Sequence, residues 1–214
     1  MNMILIFTLD ANSFDQLAQT SCLFCGWQVR SLLELVDSAL PGGVAPGRVK
    51  LLQQAGLLDA CRTGVATPSG FVDACSLAIR ALVATDAELE AAGGGVSGCK
   101  ALANPAGVRA GLSGGPAVTA RAQAALGAAC RASLDQKPTT AGEDSAALKA
   151  LNKGGSSSPG SGGFGAMGTA LAAACLPADM PLSRQRLALE YRLAKKQVLS
   201  RCASSCDANA EMAV

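Results

Sequence analysis

Leu52-Gln53-Gln54-Ala55-Gly56-Leu57-Leu58-Asp59-Ala60-Cys61 is the stretch on which the fold turns. A short apolar-spaced segment runs into Ala-Gly, and a second one starts at once. Glycine readily takes the left-handed conformation that ends a helix, so this pattern predicts two short helices joined by a sharp turn. The pattern returns downstream. At a shift of 38 residues Leu51 falls on Leu89, Gly56 on Gly94, Leu58 on Val96, Cys61 on Cys99 and the basic Arg62 on Lys100.

Around this pair the same helical signal recurs. Asn12 or Ser13 caps a first segment, and Val29, Leu32, Leu33 and Val36 then form a stripe at i, i+3, i+4 and i+7. Pro41-Gly42-Gly43 ends it. Thr67-Pro68-Ser69-Gly70 reads as a break, and Phe71 to Ala84 as a longer helix with Val72, Cys75, Ile79 and Leu82 on one side. Val118 to Leu134 is an alanine-rich helix. Beyond it, Lys137-Pro138 and the Gly/Ser run 154–163 have linker composition, interrupted by a short helix around Ser145 to Asn152. Pro181 suits the first turn of a long final helix reaching about Cys206. The expected division is 1–134 for helical repeats, 135–165 for a linker or long loop, and 166–214 for C-terminal helices packed on the repeats.

Composition agrees with an all-α protein. Half of the 214 residues are hydrophobic, but only 3% are aromatic, and much of the apolar content is alanine. Alanine and leucine favour helix, and alanine allows close helix–helix approach while burying little area per residue. The net charge of +2 calls for neither nucleic acid nor an anionic membrane as partner. No apolar run approaches the roughly 20 residues of a membrane helix. The N-terminal run Met3 to Leu9 lacks the preceding positive charge of a secretory signal, and a cytoplasmic chain is expected.

Two short helices and one longer helix per period of about 40 residues is the pattern of armadillo and HEAT units. On Leu52 to Cys61, Phe71 to Ala84 and Leu89 to Gly94, the chain resembles the armadillo/HEAT-like helical repeat family over about residues 27–133. The resemblance implies an armadillo-like right-handed α-solenoid of two to three repeats with C-terminal capping helices. The chain departs from the family in one respect. The asparagines that hold extended peptides on the inner face of third helices have no counterpart in Ala81-Leu82-Val83-Ala84 or Ala125-Leu126-Gly127-Ala128.

The chemistry is mostly negative. There is no histidine, which removes Ser-His-Asp and Cys-His nucleophiles and the His-bearing zinc sites. Gly98 and Lys100 are separated by Cys99 and followed by Ala101, so no phosphate loop forms there. Gly160 to Gly165 lacks the preceding strand of a dinucleotide site. Nine cysteines sit largely among alanine and leucine, where free thiols act as small apolar side chains. Cys22-Leu23-Phe24-Cys25 has redox or zinc spacing, and Cys202 with Cys206 could complete four thiolates if the chain ends meet.

The final helix carries the sharpest surface feature. Arg184, Arg186, Arg192, Lys195 and Lys196 are basic on a helix whose other side offers Leu182, Leu189, Leu193, Val198 and Leu199. These five are the candidate partner-binding residues. The expectation is therefore a non-enzymatic protein-binding scaffold, without a cofactor, whose partner is another protein or a larger complex. Two alternatives stand beside it: a metal-binding or redox protein using Cys22 and Cys25, and a marginally folded chain with no defined activity.

Overall fold

The computed structural model describes residues 27–29, 32–40, 42–62, 64–106, 115–154 and 181–213. Within them the chain is mostly helical, as its alanine and leucine content demands. The helices are α1 (Leu32–Ala39), α2 (Pro46–Ala55), α3 (Leu58–Arg62), α4 (Asp73–Val83), α5 (Asp86–Ala91), α6 (Gly95–Leu102), α7 (Gly115–Asp135), α8 (Ala141–Gly154) and α9 (Leu182–Met212). Three short strands, β1 (Trp27–Val29), β2 (Gly64–Thr67) and β3 (Gly70–Phe71), form an antiparallel meander in the order β1-β2-β3.

The meander corrects two expectations. Val29 belongs to β1 and pairs with Gly64, so the helical stripe starts only at Leu32. The break at 67–70 is a tight connection inside a sheet: Thr67 pairs with Gly70, and the Thr67 hydroxyl donates to the Gly70 carbonyl at 2.7 Å. Gly64 is required by crowding, since a Cβ there would lie 2.6 Å from Leu32 Cδ2 and 2.8 Å from the Phe71 ring.

The turn at Gly56 forms as its sequence implies. Gly56 adopts φ 74°, and the Leu57 amide donates to the Leu52 carbonyl at 2.9 Å, closing the end of α2. Its echo closes α5, where the Gly94 amide donates to the Leu89 carbonyl at 2.9 Å. These two bonds coincide at a shift of 37 residues, whereas Cys61 and Cys99 coincide at 38. The equivalent of the buried Leu89 in α2 is the buried Leu52, and Leu51 is only half-buried. The similarity is thus one of helix-ending chemistry, with a slipped register. Buried arginines finish the helix ends. Arg48 donates to the Ala84 carbonyl at 3.0 Å and to Asp86 at 2.8 Å, and Arg80 donates to the Leu102 carbonyl at 3.2 Å.

The core is built around α7. Leu32, Val36, Leu52, Ile79, Leu102, Leu126 and Leu199 are fully buried, with Ala78, Ala81, Ala122, Ala125 and Ala129 filling the close contacts. Helices α1 and α4 pack on α7, and α9 runs along it. The approach of α9 is tight at Gly127, where a Cβ would lie 3.4 Å from the Ala203 carbonyl oxygen and from Cys206 Cβ. Helix α9 also packs on all three strands. A solenoid stacks each unit on its neighbours alone. Here the last helix reaches the first strand, and the Ser205 hydroxyl donates to the Ser69 carbonyl at 2.9 Å across 136 residues. Helix α9 closes the core along its length instead of covering one end of a stack.

Candidate partner-binding site

Between α7 and α8 the sequence Lys137-Pro138-Thr139-Thr140 ends one helix and starts the next. Thr140 and Glu143 form a capping box. The Thr140 amide donates to Glu143 at 2.6 Å, and the Glu143 amide returns a bond to the Thr140 hydroxyl at 3.1 Å. The hydrogen bonds from the Thr140 amide and hydroxyl hold the Glu143 carboxyl below the usual carboxylate range. The box fixes the first turn of α8 and aims the next residue, Asp144, inward with Ala147 and Leu151 on the apolar side.

Asp144 is fully buried and meets two cations one turn apart on α9. Arg192 Nη2 donates to Asp144 Oδ1 at 2.8 Å, and Lys196 Nζ donates to Asp144 Oδ2 at 2.6 Å. The Thr139 hydroxyl donates to Oδ1 at 2.8 Å and accepts from Lys196, also at 2.8 Å. Arg192 also bonds this hydroxyl, and Lys196 reaches the carbonyls of Thr139 and Thr140. A buried charge is tolerable when it is paired and hydrogen-bonded in this way.

Beside this network lies a cavity of about 280 Å³, lined by Lys137, Pro138, Tyr191, Arg192, Lys195 and Lys196. Three of the five basic residues singled out on α9 therefore meet at one place: Arg192, Lys195 and Lys196. Arg184 and Arg186 lie nearer the start of α9, are exposed and do not line the cavity; Arg186 pairs with Glu190 at 2.8 Å. Lys196 also departs from the expected solvent-facing stripe, being only 5% exposed because Asp144 draws it inward. Sequence reasoning passed over Lys137, Pro138, Thr139, Asp144 and Tyr191. The signals were local: the Thr140-x-x-Glu143 capping box, and an acid at the head of the stripe Asp144, Ala147, Leu151.

Cys22 and Cys25 lie outside the described residues. Cys202 and Cys206 lie in the core, as do Cys61, Cys75, Cys99 and Cys130. The hydrogen bond with Cys130, together with burial, pushes Cys202 up to about 12, and Cys206 is also pushed up, by Cys202 and by burial. Burial above all raises Cys61 and Cys75 to about 12. Such thiols are poor nucleophiles and poor ligands, because both roles need the thiolate. Among the described residues no three Cys, Asp or Glu side chains converge as metal ligands, and no helix is long and apolar enough to cross a membrane.

The model of one protein family, Rubisco LSMT substrate-binding, matches residues 44–199. The match runs from the segment before α2 through the cavity-lining part of α9. Neither the search of curated proteins nor that of solved structures gave a match. The family match overturns three expectations. The chain is not an armadillo or HEAT repeat, because the match takes in most of the region read as repeats, from residue 44 onward, and continues without a break into α9. The similarity that suggested repeats came from alanine-rich helices with glycine ends. The scaffold reading fails with it, and so does the non-enzymatic one, since the matched family is related to protein lysine methyltransferases. With the match covering well over half of its residues, the chain belongs to the Rubisco LSMT substrate-binding family.

Proposed function

We propose that this chain is the substrate-docking part of a protein lysine methyltransferase, and that it holds the protein whose lysine is to be methylated. One observation carries the reading. The family match takes in the whole cavity, so the region that defines the family includes Lys137, Tyr191, Arg192, Lys195 and Lys196. The surface suits the task. Tyr191, 56% exposed, supplies contact area at low entropy cost, and arginine and tyrosine are favoured anchors of protein interfaces. The six free thiols among the described residues suit a reducing compartment and support a cytoplasmic location.

The test is direct binding of the whole chain to assembled Rubisco, the substrate that the family description names, by biolayer interferometry at two salt concentrations. The expected result is saturable binding that weakens as salt rises. Tyr191→Ala should weaken it about tenfold, equivalent to about 1.4 kcal/mol. Absence of saturable binding with a correctly folded chain overturns the docking reading.

A further inference from the structure

We infer that α8 is a releasable strap, which lifts off the first half of α9 as one unit while the core around α7 stays folded. The inference goes beyond the docking reading and does not depend on it.

The path of the chain is the first argument. The second half of α9 lies on α7, where Gly127 meets Ala203 and Cys206, and Arg131 pairs with Asp207 at 2.6 Å. Onward from α7 the contacts step back along α9. Thr139 meets Lys196, and Asp144 meets Lys196 and Arg192. Helix α8 therefore runs antiparallel over the first half of α9, and its 14 residues span about 21 Å at 1.5 Å per residue. Among the described elements, α8 packs appreciably on α9 alone.

Packing is the second. The contiguous apolar core takes in Leu199, Cys202, Ala203 and Cys206 of α9. Leu189 of α9 and Ala147 and Leu151 of α8 are buried outside it. Two leucines and an alanine bury little area beside the core proper. A unit with few buried apolar contacts opens at a lower free energy than the core it borders.

The latch is the third. Asp144 sits in the first turns of α8, next to the core, with both carboxylate oxygens bonded to α9. Opening separates this buried carboxylate from Lys196, so the closed form is the ground state and the strap lifts only in a minor population. Once lifted, α8 loses its helix, because an isolated helix of 14 residues is marginal in water. Release uncovers Leu189 on one side and Ala147 and Leu151 on the other.

Native-state hydrogen exchange of the full chain tests this, read by peptide mass spectrometry where refolding outruns exchange. Amides of α8 should be protected less than those of α7 by about tenfold or more. Gly98→Ala crowds the contact of α5 with α6. It should lower α7 protection by about fivefold or more and leave α8 within about twofold of the parent, because the strap opens without breaking that contact. Thr85→Ala, a milder change at the start of α5, gives the same pattern if Gly98→Ala does not fold. Leu151→Ala thins the seam and should lower α8 protection by about tenfold or more. Equal protection of α8 and α7 in the parent overturns the inference. So does α8 protection that falls in step with α7 in Gly98→Ala or Thr85→Ala, or that stays unchanged in Leu151→Ala.

Discussion

Replacing Asp144 with alanine puts the buried network to its sharpest test. Its carboxylate is bonded to both Arg192 and Lys196. Arg192, with 23% of its side chain exposed, can turn toward water. Lys196 cannot do so easily, because its side chain is 5% exposed and hemmed in by Thr139 and Thr140. Removing one partner of a buried pair typically costs about 3–5 kcal/mol, since the other charge is left uncompensated. For a chain of this size each kcal/mol moves Tm by about 2–4 °C. Asp144→Ala should therefore lower Tm by about 6–20 °C in a calorimetric or circular dichroism melt. The control is Asp144→Ala/Lys196→Met, which removes the stranded ammonium and keeps the apolar stem; it should recover most of the loss. A single variant melting within about 2 °C of the parent, or a double variant no better than the single, would refute the reasoning.

Other expectations follow from the same structure. Gly98→Ala should destabilise by about 1–3 kcal/mol although alanine is the better helix former, because the new Cβ would lie 2.5 Å from the Leu89 carbonyl oxygen and force α5 from α6; a chemical-denaturation midpoint equal to or above the parent's would contradict this. Thr85→Ala removes the capping box of α5, in which Thr85 and Glu88 exchange hydrogen bonds, and should cost about 1 kcal/mol by urea titration. Cys61, Cys75 and Cys202, each raised to about 12, should resist iodoacetamide at pH 8 in the folded chain and react fully in guanidinium, as read by peptide mass spectrometry. These same thiols predict alkaline instability. The unfolded chain loses these protons near the ordinary 9 while the folded chain keeps them to about 12, so their stabilisation is complete below 9 and falls away between 9 and 12. A Tm that stays flat from pH 8 to 11 would argue against it.

The helical class was legible because alanine and leucine dominate and because Gly56 carries its own conformational signal. The sheet was not. Its strands have three, four and two residues, and the buried positions of β2 are Gly64 and Ala66, which offer no alternation of large apolar and polar side chains. On α9 the sequence pattern put all five basic residues on one outer face, whereas in the structure Arg192, Lys195 and Lys196 line the cavity and Lys196 is buried. The acid that reorganises this face is 48 residues from Arg192 and 52 from Lys196, a distance that no local pattern spans. The armadillo resemblance failed for a related reason. Small-residue helices with glycine ends match one another at many shifts, and the real register of the two turns differs by one residue from the apparent one.

Helix α9 has 31 residues, about 46 Å at 1.5 Å per residue, and follows every other described element while touching both the meander and the α7–α8 region. During synthesis the grooves that it fills on α7 therefore stand open after α7 itself has emerged. Roughly 80 further residues must be added before α9 is complete, a wait of about 4–15 s at 5–20 residues per second. Through that interval the side of α7 that Ala203, Cys206 and Cys202 cover, around Gly127 and Cys130, stands exposed to water.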